Sequence, residues 1–134
     1  MVEQINYWAV FVAAMSTFVV GSLWYSPVMF GKKWMQLNGF SEDSIKQARY
    51  PMPVIFGSSF VAALLAAFAL ALFLGSESDL TFGMFAGFMI AAFWIATSRL
   101  TTALFEQQKM ALVLIHAGYD VVSYVVMGAI IGAW

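Results

Sequence analysis

The chain has no cysteine, a single histidine and three prolines, and only 10% of its 134 residues are charged. Without cysteine neither a disulfide framework nor a thiolate metal site can form, and the redox compartment goes unread. One histidine excludes paired-histidine zinc motifs, and His116 beside one acid supplies too few ligands for a metal. No glycine-rich phosphate loop and no nucleophile elbow is present. Ser123, His116 and Asp120 occupy one helical stretch, so they cannot converge on a substrate carbonyl as a triad does. The chain is therefore read as non-enzymatic, without metal or cofactor. A soluble basic patch of the kind that binds nucleic acid is also missing.

The shortage of charge excludes a water-soluble globule as well. A soluble domain carries about 25% charged residues, whereas here 63% of residues are apolar and 17% aromatic. A chain this small cannot hide so much apolar surface. The apolar residues fall in four runs, 5–30, 52–74, 80–104 and 110–133. Each exceeds the ~20 residues a helix needs to cross hydrocarbon. The runs are continuous, whereas barrel strands alternate over about ten residues and come in sets of at least about eight. The reading is all-α: one transmembrane four-helix bundle filling the chain. The first run follows Glu3 in place of a basic segment and is too long for a cleavable signal peptide, so it is expected to remain as a span.

Charge sign orients the bundle. Lys32, Lys33, Lys46, Arg49, Arg99 and Lys109 lie in or near the first and third gaps. The N-terminal tail, the second gap and the C-terminus hold only Glu3, Glu77 and Asp79. Loops rich in Lys and Arg stay cytoplasmic, which predicts both termini outside, N-out and C-out. Tyr7, Trp8 and Trp134 then mark the outer boundary, and Trp34 and Tyr50 the inner one. Trp24 and Trp94 fall within spans, where an indole N–H needs a partner.

The gaps 75–79 and 105–109 are short, which predicts that successive helices pack as antiparallel neighbours. The gap 31–51 is longer. Ser41 reads as an N-cap, Glu42 and Asp43 as a first turn, and Lys46 and Arg49 as a last turn. That order suits a short amphipathic helix on the cytoplasmic surface, either a gate or docking element or a solvated linker. Pro51 and Pro53 separate it from the second span. Small residues recur at four-residue spacing: Ser59, Ala63, Ala67 and Ala71; Gly83 and Gly87; Gly128 and Gly132. Such stripes allow close helix contact, within the chain or, for Gly128 and Gly132, across a dimer seam. A weak echo relates Trp24-Tyr25-Ser26 to the segment from Trp94 to Ser98, as in a parallel repeat.

Asp120 carries the most information. At 1.5 Å per residue it lies roughly 20 Å along its helix from the preceding turn, inside a core about 30 Å thick. An acid there must face the interior, find a partner or hold a proton. His116 is one turn away on the same face, Tyr119 is adjacent, and Arg99 on the preceding helix is within reach. Two readings stand open: a proton-handling network with Asp120 as carrier and His116 as relay, or a buried clasp between helices that also draws on Ser16 or Thr17. A second candidate is a ligand pocket at Trp24, Tyr25 and Ser26, beside a bend at Pro27, with Trp94 as a further aromatic.

Asn6 to Val10, the block Gly21 to Trp34 (GSLWYSPVMFGKKW), Asn38-Gly39-Phe40, and Ile115 with Ala117-Gly118-Tyr119 and Met127 to Ile130 carry a resemblance. They are similar to bacterial membrane proteins of domain-of-unknown-function family 1761, over essentially the whole chain. The resemblance implies a bacterial inner-membrane location and no particular activity, and it implies asparagine where this chain has His116. Four helices enclose no wide aqueous path, so transport would require an oligomer, most simply a dimer. The expected function is an oligomeric transporter or permeation protein for a small molecule or ion, centred on Asp120, His116 and Arg99. The alternatives are a non-catalytic interaction or scaffold subunit and, more weakly, a lipid-binding protein. The expected partners are the bilayer and a second copy.

Overall fold

The structure, a computed structural model, describes residues 4–41 and 49–134. Among these residues all regular structure is helical: α1 (Tyr7–Trp24), α2 (Gly31–Asn38), α3 (Met52–Leu74), α4 (Leu80–Phe105) and α5 (Met110–Ala133). The four long helices, α1, α3, α4 and α5, are each long and apolar enough to cross a membrane.

Local chemistry sets the ends of α1. Asn6 caps it, its side-chain oxygen accepting from the backbone N–H of Trp8 at 3.0 Å and of Ala9 at 3.2 Å. The helix stops at Trp24, short of the apolar run to residue 30, where a bend at Pro27 was expected. Proline has no N–H and its ring blocks the preceding turn, so the helix ends before it. A tight turn follows, in which the Met29 and Gly31 N–H groups both donate to the Ser26 carbonyl, at 3.0 and 2.9 Å. Gly31 is required there, since a Cβ would collide with the Tyr25 carbonyl. The helix α2 that follows was not anticipated. It ends on Gly39 in the left-handed conformation, φ 69°, and rests against α5. The amphipathic helix expected from Ser41 to Arg49 falls largely on residues 42–48, outside the described residues.

The long helices pack chiefly as α3 on α1, α1 on α5, and α5 on α4, and α3 closes back on α5 and α4 with fewer contacts, so the four share one core. The expectation that every short gap joins packed neighbours holds for α4 and α5 and fails for α3 and α4, which hardly touch. A short turn requires only adjacent helix ends. Which faces meet is decided by the small residues. Ala67 and Ala71 of α3 are buried with Ala13 and Ala14 of α1 in a core that also takes in Val10, Leu70, Leu74 and Met127. Gly83 and Gly87 of α4 lie directly on the α5 backbone. A Cβ on Gly83 would strike the Gly128 carbonyl, one on Gly87 the Tyr124 carbonyl, and one on Gly132 the Asp79 carbonyl. Gly128 and Gly132 are thus consumed within the chain, which removes them as a dimer seam.

The bundle has two distinct ends. Gln4 to Asn6, the 75–79 turn and Trp134 line one depression of about 420 Å³ at one end. Lys32, Lys33, Lys109 and the 105–109 turn mark the opposite, basic end.

Gly128→Ala should therefore destabilise the protein by roughly 2 kcal/mol, the usual cost of overpacking a close contact. Gly57→Ala, within α3 and with nothing inside 4 Å of the added carbon, should instead leave stability unchanged or raise it by up to about 1 kcal/mol, alanine being the better helix former. Thermal unfolding in detergent distinguishes the two, and equal losses would contradict the packing described.

Candidate functional site

α5 is the most buried of the long helices and is covered on two sides. One side, the line Asp120, Tyr124, Gly128 and Gly132, meets α4; the other meets α1. Residues four apart differ in direction by about 40° on a helix, so His116 and Asp120 share a face yet point to different neighbours. His116 Nδ1 lies 2.6 Å from the Tyr25 hydroxyl at the end of α1. Asp120 meets Arg99 of α4 instead: Arg99 Nε and Nη2 both donate to Asp120 Oδ2, each at 2.8 Å. Asp120 is about 15 Å along the helix from Met110, and its side chain is 10% exposed against 38% for Arg99.

Arg99 reaches this position through a defect in α4. Residues Ala91–Ile95 form one turn of π-helix, which takes an additional residue into the helix. At about 100° per residue, Arg99 in an unbroken helix would sit roughly 120° around from Gly87. With one residue absorbed in the wide turn, the angle falls to roughly 20°. The same arithmetic aligns Ala91 with Ala103, and both are buried, at 0% and 2% exposure. The wide turn therefore brings Gly83, Gly87, Ala91, Arg99 and Ala103 onto the face that α5 covers.

The α1 side is held by long polar aromatics reaching across. Trp24 Nε1 donates to the Ile115 carbonyl at 2.9 Å, and its ring lies against Gly118, where a Cβ would be only 2.7 Å from Cζ2. The Tyr119 hydroxyl donates to the Thr17 carbonyl at 3.2 Å. Tyr25 has its ring centroid 5.5 Å from Tyr119 and 5.7 Å from His116. Ser16 and Thr17, considered above as parts of a clasp, spend their hydroxyls on the carbonyls of Ala13 and Ala14 in their own helix. Ser123 Oγ is buried without a partner.

Arg99, Asp120, His116 and Tyr119 are thus gathered around the middle of α5, Arg99 and Asp120 in direct contact. The pocket expected from Trp24, Tyr25, Ser26 and Trp94 is not assembled. Trp24 is taken up in packing, and the Ser26 hydroxyl turns back to the Leu23 carbonyl at 2.7 Å. Trp94 is 65% exposed on α4 and lines two grooves that the other three residues do not reach. The Tyr25–His116 contact was missed because the two residues were assigned to separate candidate sites. The wide turn was missed too, although the small residues Ala91 and Ala103 have a spacing that only an interrupted helix turns to one side.

The ion pair yields an asymmetric expectation. Arg99→Leu strands a short, buried carboxylate and should cost roughly 3 kcal/mol. Asp120→Leu strands a long side chain that can reach toward the basic end, and should cost roughly 1 kcal/mol. The Arg99→Leu/Asp120→Leu double variant should be more stable than Arg99→Leu alone. Thermal unfolding of all three variants measures this coupling, and simple additivity would contradict the pairing. The wide turn gives a second test: deleting Phe93 restores an ordinary helix with Arg99 in the same direction, so coupling to Asp120 should survive. Deleting Phe93 and Trp94 together turns Arg99 by about 100°, and the coupling should vanish.

No curated protein and no solved structure is detectably similar to the chain. A family model described as "Protein of unknown function (DUF1761)" matches residues 8–132, from the second residue of α1 nearly to the end of α5. That match covers both partners of the ion pair and all four long helices, and the chain therefore belongs to the DUF1761 family.

Proposed function

We propose that the protein is a small multi-pass permeation protein or transporter, working as a dimer in a bacterial inner membrane, with its basic end in the cytoplasm. The observation that carries this reading is the Arg99–Asp120 pair, whose acid lies midway along α5 and whose members are the sole Asp, Glu, Lys or Arg residues in α4 and α5. Ionisable groups at such depth are costly and concentrate at solute pathways and proton relays. The wide turn in α4 supports the same reading, because single π turns are frequent at functional sites. The orientation rests on Lys32, Lys33 and Lys109 at one end and Glu77 and Asp79 at the other. A dimer is invoked because four helices in one copy enclose no wide aqueous path. The reading is non-enzymatic, since the charged groups are paired across helices and Ser123 shares a helix with His116.

A second reading, a scaffold or interaction subunit, draws support from the Trp24, Tyr25 and Tyr119 contacts, all of which tie α1 to α5. A third, lipid binding, draws on an apolar groove of about 590 Å³ lined by Phe73, Phe82, Phe85, Met89 and Trp94 between α3 and α4.

Purified protein in liposomes loaded with a pH-sensitive dye should collapse an imposed pH gradient at least tenfold faster than empty liposomes. Asp120→Asn should remove that flux while the protein remains folded and keeps the parent's oligomeric size. A parent protein indistinguishable from empty liposomes would defeat the permeation reading and leave the scaffold reading in its place.

A further inference from the structure

Arg99 faces two ways. Its Nε and Nη2 hold Asp120, and Nη1 has no partner among the described residues. The residue also lines an open cavity of about 470 Å³ with Trp94, Ile95, Ser98, Thr102, Ala103 and Gln108. Hydroxyls on this stretch of α4 divide by direction. Thr97 donates to the Phe93 and Trp94 carbonyls and Thr101 to the Thr97 carbonyl, which is how such groups are satisfied in apolar surroundings. Ser98 and Thr102, the two that line the cavity, make no such bond and are exposed. They stand one turn apart beside the guanidinium. Gln108 is a wall, because its amide nitrogen is already on Glu106 Oε2 at 3.0 Å. The remaining lining, Trp94, Ile95 and Ala103, is apolar.

A cation with donors to spare, two free hydroxyls and an apolar wall together recognise an oxyanion carried on an apolar body. We infer that this cavity binds an amphiphilic anion, a carboxylate or phosphate whose apolar part lies against Trp94 and Ile95, in competition with Asp120 for Arg99. This deepens the reading of Arg99–Asp120 as the working centre by naming the class of ligand. The chemistry fits two sources. One is a small organic acid from solution; the other is the headgroup of an anionic lipid. Arg99 lies about 9 Å along the helix from Phe105, a depth that a headgroup phosphate meets when a long cation reaches toward it. Guanidinium is the cation suited to the task, since its planar donors meet a carboxylate or a phosphate in two-pronged geometry.

The test uses the full-length protein in nanodiscs. In discs of neutral phosphatidylcholine, benzoate is titrated while tryptophan emission is followed. In discs doped with phosphatidic acid, the lipid retained on detergent extraction is measured by mass spectrometry. Benzoate binding that saturates, weakens at least tenfold in Arg99→Gln and tightens severalfold in Asp120→Asn supports a soluble organic anion. Retention of phosphatidic acid that changes in the same two directions, without benzoate binding, supports the lipid source. A misfolded variant cannot imitate this result, because Asp120→Asn must strengthen binding where Arg99→Gln weakens it. Neither ligand bound in an Arg99-dependent way would overturn the inference. The outcome is separable from the flux experiment: anion binding without flux leaves this site and removes permeation, whereas flux without anion binding does the reverse.

Discussion

The contact of the α4 and α5 backbones through Gly83, Gly87, Gly128 and Gly132 governs the placing of the Arg99–Asp120 pair. Two helices can come so close only where neither carries a side chain. That contact fixes which side of α5 looks at α4, and Asp120 lies on that side, two turns from Gly128. The approach leaves α4 no freedom to turn as a whole. Arg99 is brought to the carboxylate by a local change of pitch, the wide turn at Ala91–Ile95.

The energetics of the centre follow from its surroundings. Neutral contacts between membrane helices, such as Tyr119 to Thr17 or Trp24 to Ile115, contribute on average about 0.6 kcal/mol each. Their importance lies in what they avoid, because an unpaired donor in hydrocarbon costs several times as much. The Arg99–Asp120 pair is a different case. A buried pair of charges is costly to assemble and much costlier to break on one side, so its presence makes poor sense as a simple source of stability. The buried acid and the half-exposed base give the pair a closed side on α5 and an open side on α4.

The same geometry explains the uneven covering of the bundle. α1 is shorter than α5 because Pro27 ends it early, and the turn through Ser26 and Gly31 leads into α2, which covers part of what α1 leaves bare on α5. Tyr25, at the break itself, is thereby free to reach His116. α3 and α4 share a turn and few further contacts, which leaves between them the groove walled by Phe73, Phe82 and Phe85. α4 is therefore packed on one side and open on the other, and the open side carries Trp94, Ser98 and Thr102.

Much of this was legible in the order of residues. Long apolar runs without alternation dictate helices, and their length dictates the number of possible spans, because backbone hydrogen bonding and run length depend only on neighbours along the chain. Asp120, His116 and Arg99 stood out for the same local reason: ionisable groups in apolar runs are rare. Their partners were another matter. Whether His116 turns to Asp120 or to Tyr25, whether Trp94 joins Trp24, and whether α3 packs on α4 depend on helix phase and on which small-residue stripe meets which. One absorbed residue at Ala91–Ile95 turns the rest of α4 by about 100°, and that displacement is decided by the fit between α4 and α5. The sequence alone determined four apolar helices with a few buried ionisable residues. The close packing of those helices decided which of these residues touch, because contact across helices depends on rotation and separation that no local pattern encodes.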